Sequence, residues 1–402
     1  MLNPSAGCAL MPEIVLIANY RPDKQKSMLK SCEMFAQILE VSGYKVTTIR
    51  PIDRIGKLRT RFPWLAKWLG YVDKYLIFPL ELFLYSRARQ NSLIVYHIVD
   101  HSNAPYSFVL GGIPSVVTCN DVLAIRSSLD EIPENRTKSI TGRFLQTAIL
   151  AGLRRSHRIV SISTNTENEL RRLIGSKMPL ISTALLPLNS NFSPLSTGQA
   201  LEVLSCLGSS IIDACRSGFV LHVGGNQWYK NRIGACAIYQ DLVAIRGREK
   251  FADIPLVLAG QAPSAELLSF VTNNKSLSII FLEDPSDLEL QALYSTASLF
   301  LFPSLQEGFG WPILEAMACG CPVAATRRAP MTEVGGDAAI YIDPSETLSS
   351  AMVLADMLNW SNEKRAVWIE RGFANLRKFS RENLVEHYSA AYAEAIRYAK
   401  QF

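Results

Sequence analysis

The stretch Phe302–Thr326, FPSLQEGFGWPILEAMACGCPVAAT, has the grammar of a buried strand, a glycine loop, a helix and a second strand in close order. An apolar run ends at Phe302 or Pro303, and the loop Glu307-Gly308-Phe309-Gly310 follows. Pro312 then opens a helix, because the first helical turn has no partner for the N–H that proline lacks. Gly308 and Gly310 let the backbone come close to a ligand. The helix start, with its amides and its dipole, suits an anion such as a diphosphate. A carboxylate beside such a site is repelled by phosphate, so Glu307 and Glu315 are better placed to accept hydrogen bonds from sugar hydroxyls. Taken alone, Glu315 reads as an acid favoured by the helix dipole.

The same grammar extends in both directions. Upstream, FVLHVGGNQWYKNRIG (Phe219–Gly234) is a strand ending in Gly224-Gly225, then a loop carrying Lys230 into a helix. A lysine there acts as a point charge toward a leaving diphosphate. PLVLAGQ, LSIIFLE and LFLFPS read as further strands before Thr326, and AAIYIDP as one after it. In the amino-terminal half, EIVLIANY, KVTTIRP, LIVYHIVDH, PSVVTCND and RIVSIST repeat the pattern, with a helix expected over about 26–41. Alternating buried strands and helices mean βαβ units and parallel sheets. The pattern predicts two doubly wound α/β domains. The first spans 1–190 and the second 205–374, joined near the Pro- and Ser-rich stretch 187–205. A terminal helix over about 375–402 is expected to pack back on the first domain. In such sheets ligands sit at the carboxyl ends of the strands.

Composition narrows the function. The formal charge is only +5, which gives no sign of wholesale nucleic-acid binding. No run reaches the roughly 18 apolar residues of a membrane span, and MLNPSAGCAL lacks the features of a secretory signal and reads as a loose tail. Eight cysteines lack paired spacing and five histidines lack ligand spacing, so reduced thiols, a cytoplasmic location and no metal site are expected.

Glu307 and Glu315, with seven residues between them inside EGFGWPILEAMACGCPV, resemble the E-x7-E element of the family 4 retaining glycosyltransferases. The likeness runs from about Glu13 to Tyr388 and is stronger in the second domain. It implies the GT-B architecture, two Rossmann-like domains facing a central cleft. It also implies transfer from a nucleotide-diphosphate sugar, UDP or GDP type, to a glycan or lipid-linked acceptor, with retention and without a metal or other cofactor. By resemblance Glu307 binds the donor sugar and Glu315 the ribose. Gly225, Asn226 and the backbone of Gly308, Phe309, Gly310 and Trp311 hold sugar and diphosphate, with Lys230 facing the phosphates. Leu282 to Asp284 lie against the base. Softer matches are Glu333 after the motif and Gln25, Ser27 and Met28 after the first strand.

The sequence also departs from the family. Tyr229 and Asn226 stand where arginines are common, leaving Arg232 or Arg327, or no residue, as a second cation. Asn120-Asp121 replaces the usual His-Asp, and Asn cannot take a proton. Asn120, Asp121 and His101 are the catalytic candidates of the first domain, with Asp100 beside them. The substitutions keep open a weak nucleotide-sugar-binding scaffold, and the fold keeps open an epimerase. Residues 54–89 mix Trp64, Leu65, Trp68, Leu69, Val72 and Leu76 with Lys57, Arg59, Arg61, Lys67 and Lys74. That pattern fits either a helix at the inner face of a membrane or a core helix with snorkelling basic side chains.

Overall fold

The computed structural model describes residues 11–89, 92–137, 139–175, 179–246 and 254–400, so the amino-terminal tail lies outside the described residues. The chain forms two compact units, one running to Asn189 and resuming at Arg381, the other spanning Ser190–Ser380.

The first unit holds a six-stranded sheet built from β1 (Glu13–Ile17), β2 (Val46–Ile49), β3 (Ile94–Ile98), β4 (Ser115–Cys119), β5 (Arg158–Ser161) and β6 (Leu180–Thr183). Its order is β2-β1-β3-β4-β5-β6, and the pairing is parallel, with Val15 opposite Tyr96. The central strands β3 and β4 are buried throughout, because helices cover both faces; this is why they read as unbroken apolar runs. The predicted helix is present as Lys26–Val41, burying Cys32, Phe35 and Leu39.

The second unit has β7 (Val220–Val223), β8 (Leu256–Gly260), β9 (Ile279–Glu283), β10 (Leu299–Phe302), β11 (Val323–Thr326) and β12 (Ala339–Ile342). Its order is β12-β11-β10-β7-β8-β9. Val220, Leu256, Leu258, Leu299 and Leu301 form one face of its core with Ile238, Tyr239 and Leu354.

Two local features differ from expectation. Strand β6 lay hidden before the Pro-rich stretch, because it is a partly exposed edge strand with only Ile181 buried. The supposed join contains the helix Thr197–Leu204, started by a reciprocal Ser196–Gln199 cap and packed on helix Asp287–Thr296. The terminal helix is Arg381–Ala399, in the first unit, and a separate helix, Asn362–Leu376, precedes it in the second.

Candidate functional site

In both units the informative residues follow strand ends at the point where strand order reverses, which is where open α/β sheets bind ligands. In the second unit this point lies between β7 and β10. His222, fully buried in β7, uses Nδ1 to reach the Leu301 carbonyl of β10 at 3.0 Å. A carbonyl only accepts, so Nδ1 carries the proton and Nε2 is a bare lone pair. Burial, with Arg232 and Lys230 nearby, pushes this imidazole down to about 4.

Beyond β7, Asn231 adopts a left-handed conformation at φ 54°. Its side chain donates to the Pro303 carbonyl at 3.0 Å and caps the Gly234 amide. Leu305 N–H donates to the Tyr229 carbonyl at 2.7 Å. These bonds hook the loop after β7 to the loop after β10 and fix the result that matters: Lys230 Nζ lies 2.8 Å from Glu307 Oε1, with both side chains largely shielded from water. The ammonium also sits 5.4 Å from the centre of the Phe302 ring. A cation and a carboxylate separated by 77 positions are therefore one unit.

The loop Glu307–Gly310 enters the helix Trp311–Ala318 through Gly310 at φ 119°, a conformation an L-residue adopts only with strain. Phe309 is buried against Trp311 and Phe379, so its side chain anchors the loop and only its backbone is available to a ligand. The first turn offers fewer amides than a regular helix start: Pro312 has none, and Ile313 N–H donates to the Gly310 carbonyl. Glu315 is buried and accepts from the Tyr294 hydroxyl at 3.1 Å.

Other expected donor-side residues are tied together in the loop after β7, where Gly225, Asn226 and Arg232 line one cavity. Asn226 spends its amide on the Ala262 carbonyl and its oxygen on Arg232, while Gln261 receives its backbone N–H. Arg232 is 6% exposed and is turned into this loop, donating also to the Gln261 carbonyl; burial lowers its affinity for its proton. Gly225 has the Gln227 and Gln261 side chains where a Cβ would stand. A cavity of about 260 Å³ lies beside this loop, bounded by Trp228, Arg232, Ser264 and Leu267 among others. Leu282 is a buried strand residue, so the exposed Glu283 and Asp284 form the surface there. Glu333 is half-buried in a short helix, and Arg327 is exposed.

In the first unit the reversal lies between β1 and β3. Asn19, after β1, is buried and donates to Asp100, after β3. It also donates to Gln25 and accepts from Asn103. Asn120, after β4, donates to Met28 Sδ at 3.2 Å and lies 3.4 Å from Asp100 Oδ1. Among the described residues its buried Oδ1 has no hydrogen-bond partner. His101 Nδ1 is 3.3 Å from Asp100. Burial pushes the Asp100 carboxyl up, but His101, Ser102 and Asn19 outweigh it and hold it below its usual range. Asp121 stands apart from this group: its carboxylate accepts the Leu123 N–H at 2.9 Å and starts the next helix. Ser27 is exposed on its helix.

Residues 218–359 match the family described as Glycosyl transferases group 1. The O-antigen chain mannosyltransferase B of Escherichia coli is 29% identical over 282 residues, covering 69% of this chain and 70% of that protein. The chain is a glycosyltransferase whose second unit carries the group 1 family region. An MMP alpha-(1->4)-mannosyltransferase of Mycolicibacterium hassiacum is 33% identical over 114 residues, 28% of each protein. The sucrose-phosphate synthase structure from Thermosynechococcus elongatus matches 96% of this transferase and 99% of its own chain, with a TM-score of 0.69 at 15% identity. At that identity the likeness concerns the fold, which is GT-B.

The sequence of this transferase singles out Glu307, Lys230 and Glu315, and the structure adds Asn19, Asn103 and Gln261 as side chains that tie the strand-end loops together. Asn19 had one signal, its place two residues after a buried strand. Gln261 had a similar signal, directly following β8.

Proposed function

We propose that this glycosyltransferase moves a mannosyl residue from a nucleoside diphosphate mannose to a hydroxyl of a growing glycan, with retention of configuration. The Lys230–Glu307 pair carries the donor-site reading. The names of its mannosyltransferase relatives favour mannose, and the O-antigen relative favours a polysaccharide or lipid-linked acceptor. In the reaction the bond from sugar C1 to the phosphate oxygen breaks and a bond from C1 to the acceptor oxygen forms. The acceptor proton passes to the leaving phosphate.

Lys230 neutralises the charge that grows on that phosphate, and a fixed charge in a shielded site stabilises it without reorganisation. Glu307 holds Lys230 in the free protein and accepts from donor hydroxyls in the complex. Because Lys230 supplies positive charge, turnover is expected to survive chelation of divalent ions. Asn120 and His101, beside Asp100, are read as hydroxyl contacts; the lone Asn120 oxygen is an acceptor awaiting a donor.

The test incubates the purified chain with GDP-mannose and with UDP-, ADP- and dTDP-sugars and follows nucleotide release by mass spectrometry. Release from the mannose donor that disappears in Glu307→Ala supports the reading. Turnover of a different sugar rejects the mannose assignment. Absence of both turnover and binding for every donor rejects the donor site.

A further inference from the structure

Residues 54–89 carry eight Lys or Arg against two Asp or Glu, a net +6 in a chain whose whole formal charge is +5. The positive charge of the molecule is therefore concentrated here. The segment folds as a platform. Two short turns, Gly56–Thr60 and Pro63–Leu65, lead into Ala66–Val72, a wider turn at Asp73–Ile77, and Phe78–Ala88. Asp73 lies inside that wider turn, 1% exposed. It accepts the N–H groups of Arg54, Ile55 and Gly56 and the Tyr20 hydroxyl. Phe78, Leu82 and Ser86 face the core.

The outer side is apolar. Trp64, Trp68, Leu76, Leu80 and Leu84 recur at multiples of four residues with exposures of 78, 52, 67, 61 and 60%. Val72, in the same series, is half-buried. Twenty residues of helix reach about 30 Å, so the stripe is long. Lys57, Arg61, Lys67 and Arg87 are exposed beside it, and among the described residues none has a carboxylate within ion-pair distance. Three of them lie near aromatic rings: Arg61 by Phe62, Lys67 by Tyr71 and Arg87 by Phe83. The core-helix alternative holds only for the inner side.

We propose that this face seats the transferase on an anionic lipid surface, the tryptophans and leucines entering the boundary between headgroups and acyl chains. A protruding apolar row flanked by unpaired cations fits a fluid negative surface, and an exposed apolar patch of this extent marks an interaction site. The proposal deepens the reading of a lipid-linked acceptor, since it brings the enzyme to where such an acceptor resides.

The chain is floated with vesicles of phosphatidylcholine alone and of phosphatidylcholine with about one third phosphatidylglycerol. Binding to the anionic vesicles is expected, weaker in high salt. It should fall at least about tenfold in Trp64→Ser/Trp68→Ser/Leu80→Ser. Lys57→Glu/Lys67→Glu should remove the preference for phosphatidylglycerol. Ile140→Ser/Phe144→Ser, an equally exposed pair on another helix, should leave binding intact. The proposal is overturned if the stripe variant floats like the parent, if the control pair abolishes binding, or if the face instead joins copies of the chain in solution. Nucleotide release from the donor, measured without vesicles, should persist in the stripe variant. Glu307→Ala should float normally while losing release, which separates failure of this surface from failure of the donor site.

Discussion

Glu307 and Lys230 show how one contact can hold two roles apart. In the free protein each neutralises the other at 2.8 Å, so neither is left as a shielded unpaired charge, which would be costly. On the proposed donor-site reading, a bound diphosphate competes with Glu307 for the same ammonium. Glu307→Gln keeps the shape and removes the competitor. It should bind the nucleoside diphosphate product about fivefold more tightly, within the range for a partly shielded pair, yet transfer about 100-fold more slowly, because the donor sugar loses its carboxylate. Lys230→Ala should lose both product affinity and transfer. Calorimetric titration of the diphosphate into the three proteins reads the first effect. Equal affinity in parent and Glu307→Gln would show that the pair does not gate the phosphate site.

At the scale of elements, the helix Arg381–Ala399 shows what tertiary packing adds to a periodic sequence. Its Tyr388 and Tyr392 are fully buried on the first unit's sheet. Tyr388 meets Thr118 at 2.7 Å, Thr118 meets His97 Nε2 at 2.7 Å, and Tyr392 meets His97 Nδ1 at 2.9 Å. Tyr392→Phe strips His97 Nδ1 of its partner and should cost about 1–3 kcal/mol. Tyr388→Phe leaves Thr118 still bonded to His97 and should cost less, about 1 kcal/mol. Urea melts of the two variants decide; a reversed order would break the account of this network. None of it was visible in the sequence, where His97 was one residue of an apolar strand. Strands β3, β4 and β10 were legible because they are apolar and buried on both faces, whereas β6 lies at an edge and carries Ser182 and Thr183. The donor loop was legible because its chemistry lies within 25 consecutive residues. The cluster of Asn19, Asp100 and Asn120 was not, because it exists only once β1 pairs with β3 and β3 with β4.

For the molecule as a whole, each unit stores a buried neutral imidazole. Burial pushes His97 down to about 3 in the first unit and His222 down to about 4 in the second. In an unfolded chain both imidazoles titrate near the ordinary value of about 6.5. Between about pH 6.5 and 4 the unfolded state therefore binds protons that the folded state refuses. Stability is complete above about 6.5 and falls as the pH drops, by up to about 1.4 kcal/mol per unit for each histidine. Carboxylates held below their usual range, such as Asp73 and Asp100, add their own loss only below about pH 4.5, so the higher window belongs to the histidines. Urea midpoints at pH 7 and 4.5 should differ clearly in the parent. His97→Gln keeps a polar side chain between Thr118 and Tyr392, and it should lower the midpoint at pH 7 while flattening the drop toward pH 4.5. A parent whose stability is level across that interval would mean the two rings accept protons without leaving their sites, and the burial argument would fail for both units.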